Sequence, residues 1–344
     1  LTNHITTGDV LAFTGSSGVG QHLRTLPHVV AGGVPVNIEA DSLNAAVLGP
    51  DAEPGDHRVA VYQAQRDEAY QRRLQLARDI PYAPRHNELS VVYQPKLALA
   101  SGQVPQVEAL MRWHHQRLGP IRPDEFIVLA EQTGSIALLT QWVLDAVLTQ
   151  VREWLSRGIE LQVAMNISAL DLEDPGFPEL VEQALARHQV APRYLSLEVT
   201  ESALMREPER SLASLHRLRD SGISLAVDDY GTGYSSLAMI KSLPVQYLKI
   251  DKSFVLQLTE GSDDAVIVRS TIELAHNMGL AVIAEGIESE QSLHWLQQRG
   301  CDYAQGYFVS RPVAADVLEV WLGEAQARFA YLAAGEAGAT PSPA

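Results

Sequence analysis

From residue 89 onward, short apolar or β-branched runs alternate with longer stretches whose apolar residues recur at helical spacing. The runs with the length and composition of strands cover residues 90–93, 103–110, 161–166, 194–199, 224–228, 247–250, 281–284 and 303–308. The helical stretches include residues 136–157, 179–188, 210–221, 265–278 and 290–299. This alternation predicts an α/β fold, either a (β/α)₈ barrel of the TIM type or a doubly wound sheet.

Residues 1–80 do not continue this alternation, and their strongest pattern is a helical one over residues 59–78. Pro81 and Pro84 follow that pattern. Proline lacks an amide donor and disfavours helix in the residue before it, so we place a domain boundary there. The predicted organisation is a small α+β segment over 1–80, a linker over 81–88, the barrel over 89–332 and a disordered tail over 333–344.

The composition is that of a globular protein, with 46% hydrophobic and 20% charged residues. The 42 acidic and 26 basic residues give a formal net charge of -16, which argues against binding a nucleic-acid polymer, because such binding requires a basic surface. The single cysteine, Cys301, excludes an intramolecular disulfide and fits a reducing cytoplasm. No apolar run reaches the roughly 20 residues of a membrane span. We therefore expect a cytoplasmic domain, with membrane attachment only through a region upstream of Leu1.

Polar residues that could carry chemistry recur at the ends of the predicted strands. They are Glu108, Asn166, Glu198, Asp228, Asp229, Lys249, Glu285 and Gln305. The carboxyl ends of parallel barrel strands meet on one face, and carboxylates gathered there are costly unless a cation neutralises them. Oxygen ligands without clustered Cys or His favour Mg²⁺ or Mn²⁺ over Zn²⁺. The five carboxylates are enough for two ions, which predicts a metal-assisted hydrolase.

The residues around these positions form an ordered set of motifs. They are VEALMRW (107–113), NIS (166–168), EVTE (198–201), DDYGTGYSSL (228–237), LKID (248–251), AEGIE (284–288) and QGY (305–307). Over residues 89–312 this set resembles the EAL domain family. The resemblance implies the (β/α)₈ barrel and the hydrolysis of cyclic di-GMP to linear pGpG.

The resemblance also implies a role for each matching residue. The ligands of two Mg²⁺ or Mn²⁺ ions would be Glu108, Asn166, Glu198, Asp228, Asp229 and Glu285. Catalytic roles fall on Glu108, Gln305, Glu288 and Lys249, with Glu288 bracing the loop after the fifth strand and Lys249 contacting or activating water. The implied substrate contacts are Gln94, Leu110, Arg112 and Asp251. Lys249 could be a free base with a lowered pKa or a charged group that orients the nucleophile, and we favour the second role.

Residues 231–236 follow two of the ligand candidates and contain Gly231 and Gly233. They lack the spacing and the lysine of a P-loop. We interpret them as a mobile segment that places the two aspartates, with a helix-capping turn as the alternative. The resemblance implies a homodimer through this loop. Lys96 stands where the family commonly has an apolar residue, and we expect it to alter the rim of the pocket.

In the first segment, TGDVLAF (7–13) is similar to a degraded GGDEF signature, and VAVYQAQ (59–65) is similar to the last helix of that cyclase domain. The signature has lost the acidic position that would bind a metal. The resemblance therefore implies a partial, inactive GGDEF remnant with a packing or regulatory role. An unrelated linker domain is the alternative.

Three other functions stay open beside the phosphodiesterase. The barrel could be a catalytically silent receptor for cyclic di-GMP, a scaffold that binds no nucleotide, or a different hydrolase on a similar fold. No metal-ligand position is lost, which favours the enzyme over the receptor. Arg112 and Asp251 argue against the scaffold.

Overall fold

The computed structural model describes residues 11–15, 36–40, 64–232 and 237–333, with side chains from Tyr70 onward except at positions 237 and 238. The chain forms two compact units, Leu1–Glu68 and Ala69–Ala344. In the first unit, β1 (Leu11–Gly15) pairs in parallel with β2 (Val36–Ala40). Most of the residues behind the GGDEF-like prediction lie outside the described ranges, as does the chain from residue 334. Those predictions, and the domain boundaries, stay predictions.

A barrel of eight strands forms the second unit. Its sheet has the order β3-β11-β10-β9-β8-β7-β6-β4-β5, and β3 also pairs with β4, which closes the ring and leaves β5 outside it. The strands are β3 (Leu89–Ala98), β4 (Gln106–His115), β5 (Gly119–Ile121), β6 (Gln162–Asn166), β7 (Leu195–Thr200), β8 (Ser224–Tyr230), β9 (Tyr247–Ile250), β10 (Ala281–Ala284) and β11 (Tyr303–Ala304). The ring confirms the (β/α)₈ barrel and excludes the doubly wound sheet.

The first barrel strand runs against the others. β3 is antiparallel to both β4 and β11, while β4 and β6 to β11 pair in parallel. The prediction of parallel strands throughout is therefore wrong at β3. The connection from β3 to β4 spans only residues 99–105, and a parallel crossover needs a dozen or more residues.

Helices follow most of the strands and cover the outside of the barrel. They are α1 (Ala64–Asp79), α2 (Pro123–Gln132), α3 (Ile136–Ser156), α4 (Ala169–Glu173), α5 (Phe177–His188), α6 (Glu201–Leu204), α7 (Pro208–Asp220), α8 (Leu237–Ser242), α9 (Lys252–Val255), α10 (Asp263–Asn277), α11 (Glu290–Gln298), α12 (Ala315–Arg328) and α13 (Ala330–Ala333). All five predicted inter-strand helices are present within a few residues. The strand predicted over 303–308 ends already at Ala304, so Gln305 lies in the segment after β11.

Two apolar clusters stabilise the second unit. The larger lies between the barrel strands and their helices and includes Val163, Leu197 and Val282. The smaller joins α1 to α2 and α3 through residues such as Leu76 and Phe126. Among the described residues, none of the helices combines the length and apolar character that a membrane crossing requires.

Candidate metal centre and active site

The strand registers place two pairs of the predicted site residues directly opposite each other. Glu198 of β7 lies opposite Asn166 of β6, and Glu108 of β4 lies opposite Gln94 of β3. Because side chains alternate between the two faces of a strand, every second residue points into the barrel. The apolar residues between them, such as Val107 and Leu197, are buried in the larger cluster instead. Strand alternation therefore delivers the polar groups to a common interior.

Lys249 lies at the centre of this interior, with its side chain 1% exposed. Its ammonium donates to Glu198 Oε2 at 2.6 Å and to Asp228 Oδ2 at 2.9 Å. Glu285 Oε1 lies 2.7 Å from the same nitrogen, and Glu108 Oε2 lies 3.5 Å away. Four of the five predicted carboxylate ligands therefore surround the predicted catalytic lysine.

Amide side chains fix the orientation of Glu108. Asn166 Nδ2 donates to Glu108 Oε1 at 2.7 Å, and Gln305 Nε2 donates to Glu108 Oε2 at 2.6 Å. Gln305 Nε2 also donates to Gln94 Oε1 at 3.1 Å. The remaining polar atom, Gln305 Oε1, is buried and accepts no hydrogen bond from the described residues. A buried acceptor of this kind fits a water molecule or a cation at this position.

Two groups of carboxylates among the described residues have ligand atoms within 4.8 Å of one another. The inner group consists of Glu108, Glu198 and Asp228, all buried. The outer group consists of Asp228, Asp229 and Glu285, of which the last two are partly exposed. Asp228 belongs to both groups, as a ligand shared by two ions must. This oxygen-rich cluster can bind a metal ion.

The backbone at the end of β8 is adapted to its two aspartates. Asp229 has a left-handed backbone with φ of 53°, a conformation that aspartate tolerates better than most residues. Its amide donates to Asp228 Oδ1 at 2.8 Å. Just beyond, the Gly231 amide donates to Glu201 Oε2 at 3.0 Å. Glu201, on α6, thus fixes the start of the loop that follows β8.

Burial and charge together set the pKa values in the centre. Burial alone would raise the pKa of Glu198, but the ammonium groups of Lys249 and Lys96 lower it to about 2. Burial raises the pKa of Asp228 to about 6 and that of Glu285 to about 8, against the attraction of Lys249. Burial disfavours the charge on Lys249, but Asp228 and its neighbouring carboxylates keep the pKa well above its usual value. The cluster therefore carries more acidic groups than its lysines can neutralise.

A cleft of about 360 Å³ reaches Asn166, which donates to Glu108 of the inner group. Leu110, Arg112 and Asn166 line it together with residues of α2 and α3. Arg112 is half-buried and donates to the Met111 carbonyl oxygen at 2.9 Å. Burial lowers the pKa of its guanidinium, while Tyr307 and Glu108 oppose that shift. The cleft thus presents a partly desolvated cation next to the carboxylates.

The other two predicted substrate contacts, Gln94 and Asp251, do not line this cleft. Gln94 is buried in the barrel, where its Nε2 donates to the Ser310 carbonyl oxygen at 3.1 Å. Asp251 is buried at the start of α9, where its carboxylate accepts from the Ser253 amide at 2.9 Å. The hydrogen bonds of Ser253 hold the pKa of Asp251 below its usual value despite the opposing effect of burial.

Glu288 is exposed, unlike the buried carboxylates of the inner group. It lies in the segment between β10 and α11 and makes no hydrogen bond to the described residues. Its proposed contact with the loop after β8 stays a prediction, since residues 233–236 of that loop lie outside the described ranges. In the described part of the loop, Glu201 supplies the support.

Lys96 corrects one expectation from the sequence. We expected it at the rim of the pocket, but its side chain is 1% exposed inside the barrel and forms an ion pair with Glu198. Lys96 lies two residues after Gln94 on the same strand, so strand alternation puts both on the interior face. This period of two was the available signal, and the usual preference of lysine for solvent concealed it.

The fold and the site define a class of protein: a (β/α)₈ barrel with an acidic, lysine-centred site inside one end. A family model described as "EAL domain" matches residues 77–312. The chain belongs to the EAL domain family.

Several known proteins are similar to this chain. The bifunctional diguanylate cyclase/cyclic di-GMP phosphodiesterase MucR of Pseudomonas aeruginosa is 39% identical over 267 residues, which cover 77% of this chain and 39% of MucR. The cyclic di-GMP phosphodiesterase NbdA of the same organism is 42% identical over 250 residues, which cover 72% of this chain and 32% of NbdA. The chain therefore spans well under half the length of these curated relatives. A solved structure described as "PaMucR Phosphodiesterase, c-di-GMP complex" has a TM-score of 0.68 and 42% identity, and covers 71% of this chain and 99% of its own.

One relative is similar beyond the barrel. An uncharacterized protein of Mycobacterium tuberculosis is 32% identical over 326 residues, which cover 92% of this chain and 50% of the relative. A match of that extent includes part of the segment before residue 80.

Proposed function

We propose that this chain hydrolyses cyclic di-GMP to linear pGpG with the help of two Mg²⁺ or Mn²⁺ ions. The observation that carries the proposal is the pair of carboxylate groups that share Asp228, beside a cleft that contains Arg112. Two carboxylate groups with a common member suit two ions that act on one phosphodiester. The names of MucR and NbdA, and the ligand of the MucR structure, support cyclic di-GMP as the substrate.

The site residues would have different roles in this reaction. Bound ions would neutralise the phosphodiester and supply a nucleophile at neutral pH. They would be held by Glu108, Asn166, Glu198, Asp228, Asp229 and Glu285. Arg112 would bind a phosphate oxygen, for which its planar guanidinium is well suited. The water oxygen forms a bond to phosphorus, the bond from phosphorus to the ribose 3′ oxygen breaks, and that oxygen takes up a proton.

Lys249 and Gln305 would position the attacking water. Four carboxylates surround the Lys249 ammonium, so this lysine stays charged and donates hydrogen bonds rather than removing a proton. Gln305 uses its amide nitrogen on Glu108 and Gln94 and retains Oε1 as an acceptor for water. These contacts favour the orienting role of Lys249 over that of a free base.

Turnover of cyclic di-GMP by the purified chain tests the proposal. The chain is incubated with the dinucleotide and Mg²⁺ or Mn²⁺, and the products are separated by anion exchange. Formation of linear pGpG that EDTA abolishes is the expected result. Tight binding of cyclic di-GMP without turnover would instead identify a silent receptor. The absence of both would remove the substrate assignment.

Two further parts of the proposal concern assembly and the segment before the barrel. We propose a homodimer through the loop after β8, because the EAL family resemblance assigns dimer contacts to that loop. Light scattering at a series of concentrations tests for this dimer directly.

We also propose that residues 1–80 are a partial, inactive GGDEF domain that regulates the barrel. The similarity to the mycobacterial relative extends into this segment. Comparing the turnover of the full chain with and without added GTP tests for regulation by nucleotide.

A further inference from the structure

Lys96 lies one level deeper in the barrel than the carboxylate centre. On β3, Gln94 is opposite Glu108, and Lys96 is opposite Gln106. Gln106 is two residues before Glu108 on β4, so Lys96 lies on the side of the centre away from the cleft. Its side chain is 1% exposed, and Glu198 is its only carboxylate partner among the described residues. A charge so deeply buried has to be offset by a specific partner.

Glu198 is fully buried and its two oxygens have different surroundings. Oε1 contacts the ammonium of Lys96. Oε2 contacts Lys249, at 2.6 Å, on the side where Glu108, Asp228 and Glu285 converge. One oxygen is thus directed to the other carboxylates, and the second is engaged by a cation that none of those carboxylates contacts.

This asymmetry limits how Glu198 can bind a metal ion. A carboxylate can chelate an ion of this centre through both oxygens only if neither is held by a cation outside the centre, as Lys96 holds Oε1. Ca²⁺ takes 6–8 oxygen ligands at about 2.3–2.6 Å and often uses such bidentate carboxylates. Mg²⁺ requires near-octahedral geometry at about 2.0–2.1 Å and usually binds a carboxylate through one oxygen.

We propose that Lys96 is a positioning residue that restricts Glu198 to one metal-facing oxygen and thereby selects Mg²⁺ or Mn²⁺ over Ca²⁺. The inference rests on the proposed function only in that Glu198 binds a divalent ion. Lys96, which is not one of the implied metal ligands, would thus make the site discriminate between small and large divalent ions.

Metal affinity of the full chain, measured by titration calorimetry after removal of metal, tests the inference. Lys96→Met keeps the length of the side chain and removes the ammonium, which frees Glu198 Oε1. We expect the ratio of Ca²⁺ to Mg²⁺ affinity to rise about tenfold, at the lower end of the effect of groups that orient metal ligands. Lys96→Gln retains a donor to Oε1 and should change the ratio less. Lys241→Met, at an exposed position on α8, is the matched control and should leave the ratio unchanged.

The ratio separates selection from a merely structural role. Loss of packing would weaken the binding of both ions in parallel, and an unchanged ratio in the folded Lys96→Met protein would overturn the inference. Thermal melts establish that each variant is folded, and Lys96→Leu, which also removes the ammonium, serves if Lys96→Met is not folded. Turnover of cyclic di-GMP is measured separately. Normal metal selection without turnover would contradict the proposed function alone, whereas a parent chain that binds neither ion would overturn both.

Discussion

The inner and outer carboxylate groups share Asp228 but are built differently. The inner group lies on strand residues inside the barrel, where Asn166, Gln305 and Lys96 engage the oxygens of Glu108 and Glu198. The outer group lies at the barrel mouth, and Asp229 depends on a left-handed backbone just before the loop that follows β8. The inner group is therefore set by the barrel itself. One member of the outer group, Asp229, lies just before that loop, so a movement of the loop would reach the outer group first.

The largest effect is expected from removing a ligand of the inner group. Glu108→Ala deletes a carboxylate that Asn166 and Gln305 both orient. Loss of metal-dependent charge stabilisation of several kcal/mol should reduce turnover of cyclic di-GMP by about 10³-fold or more, even in saturating Mg²⁺. The fold should persist, because the change relieves repulsion between carboxylates. Anion-exchange assays and thermal melts measure the two properties, and full turnover by this variant would refute the two-metal assignment.

The next effect should be confined to the outer group. Glu201→Gln weakens the hydrogen bond from the Gly231 amide and so loosens the loop beside Asp229. Groups that orient metal ligands typically account for about 10–100-fold in metal affinity. Titration with Mn²⁺ should therefore show one weakened ion and one nearly unchanged ion. Glu209→Gln, at an exposed position on α7, is the control. Equal weakening of both ions would contradict the separation of the two groups.

Arg112 tests on which side of the centre the substrate binds. It lies on β4 in the cleft beside the inner group, and lysine cannot reproduce its planar pair of donors. A hydrogen bond to a charged group contributes about 1.5–3 kcal/mol, so Arg112→Lys should raise KM for cyclic di-GMP about tenfold with little change in kcat. Arg117 follows β4 closely and its side chain is exposed. Arg117→Lys is therefore the control and should leave KM unchanged. An unchanged KM in the Arg112 variant would place the phosphate elsewhere.

The amino-acid sequence predicted the inner group better than its surroundings. Strand ends and motif order located Glu108, Glu198, Asp228 and Lys249, because alternation along strands and their order in the chain are local properties. The direction of β3 was missed, since it follows from the short connection to β4 rather than from the strand itself. The burial of Lys96 was missed because its partner Glu198 is 102 residues away. Only the closed barrel brings that pair together.

The smallest effect concerns the pH dependence of stability. It distinguishes the outer group from the inner one through the ionisation of Glu285. In the folded chain, burial raises the pKa of Glu285 from 4.5 to about 8. The folded state therefore binds a proton that the unfolded state has lost, and the stability of the metal-free protein should fall as the pH rises from about 4.5 to about 8. Glu198, whose pKa is lowered to about 2, acts in the opposite sense and only below pH 4.5. Thermal melts in EDTA should thus show a lower Tm at pH 8 than at pH 6.

A loss on the order of 1 kcal/mol corresponds to about 1–2 °C for a chain of this size. Glu285→Gln cannot ionise at this position, so its Tm should depend less on pH over the same range. Mg²⁺ binds the ionised carboxylates, and its addition should remove the decline because metal binding is linked to loss of the proton. If the parent and Glu285→Gln chains lose the same stability between pH 6 and pH 8, Glu285 is already ionised without metal. In that case the Glu285 carboxylate would be charged before an ion binds. The difference between the two groups would then lie in the loop alone.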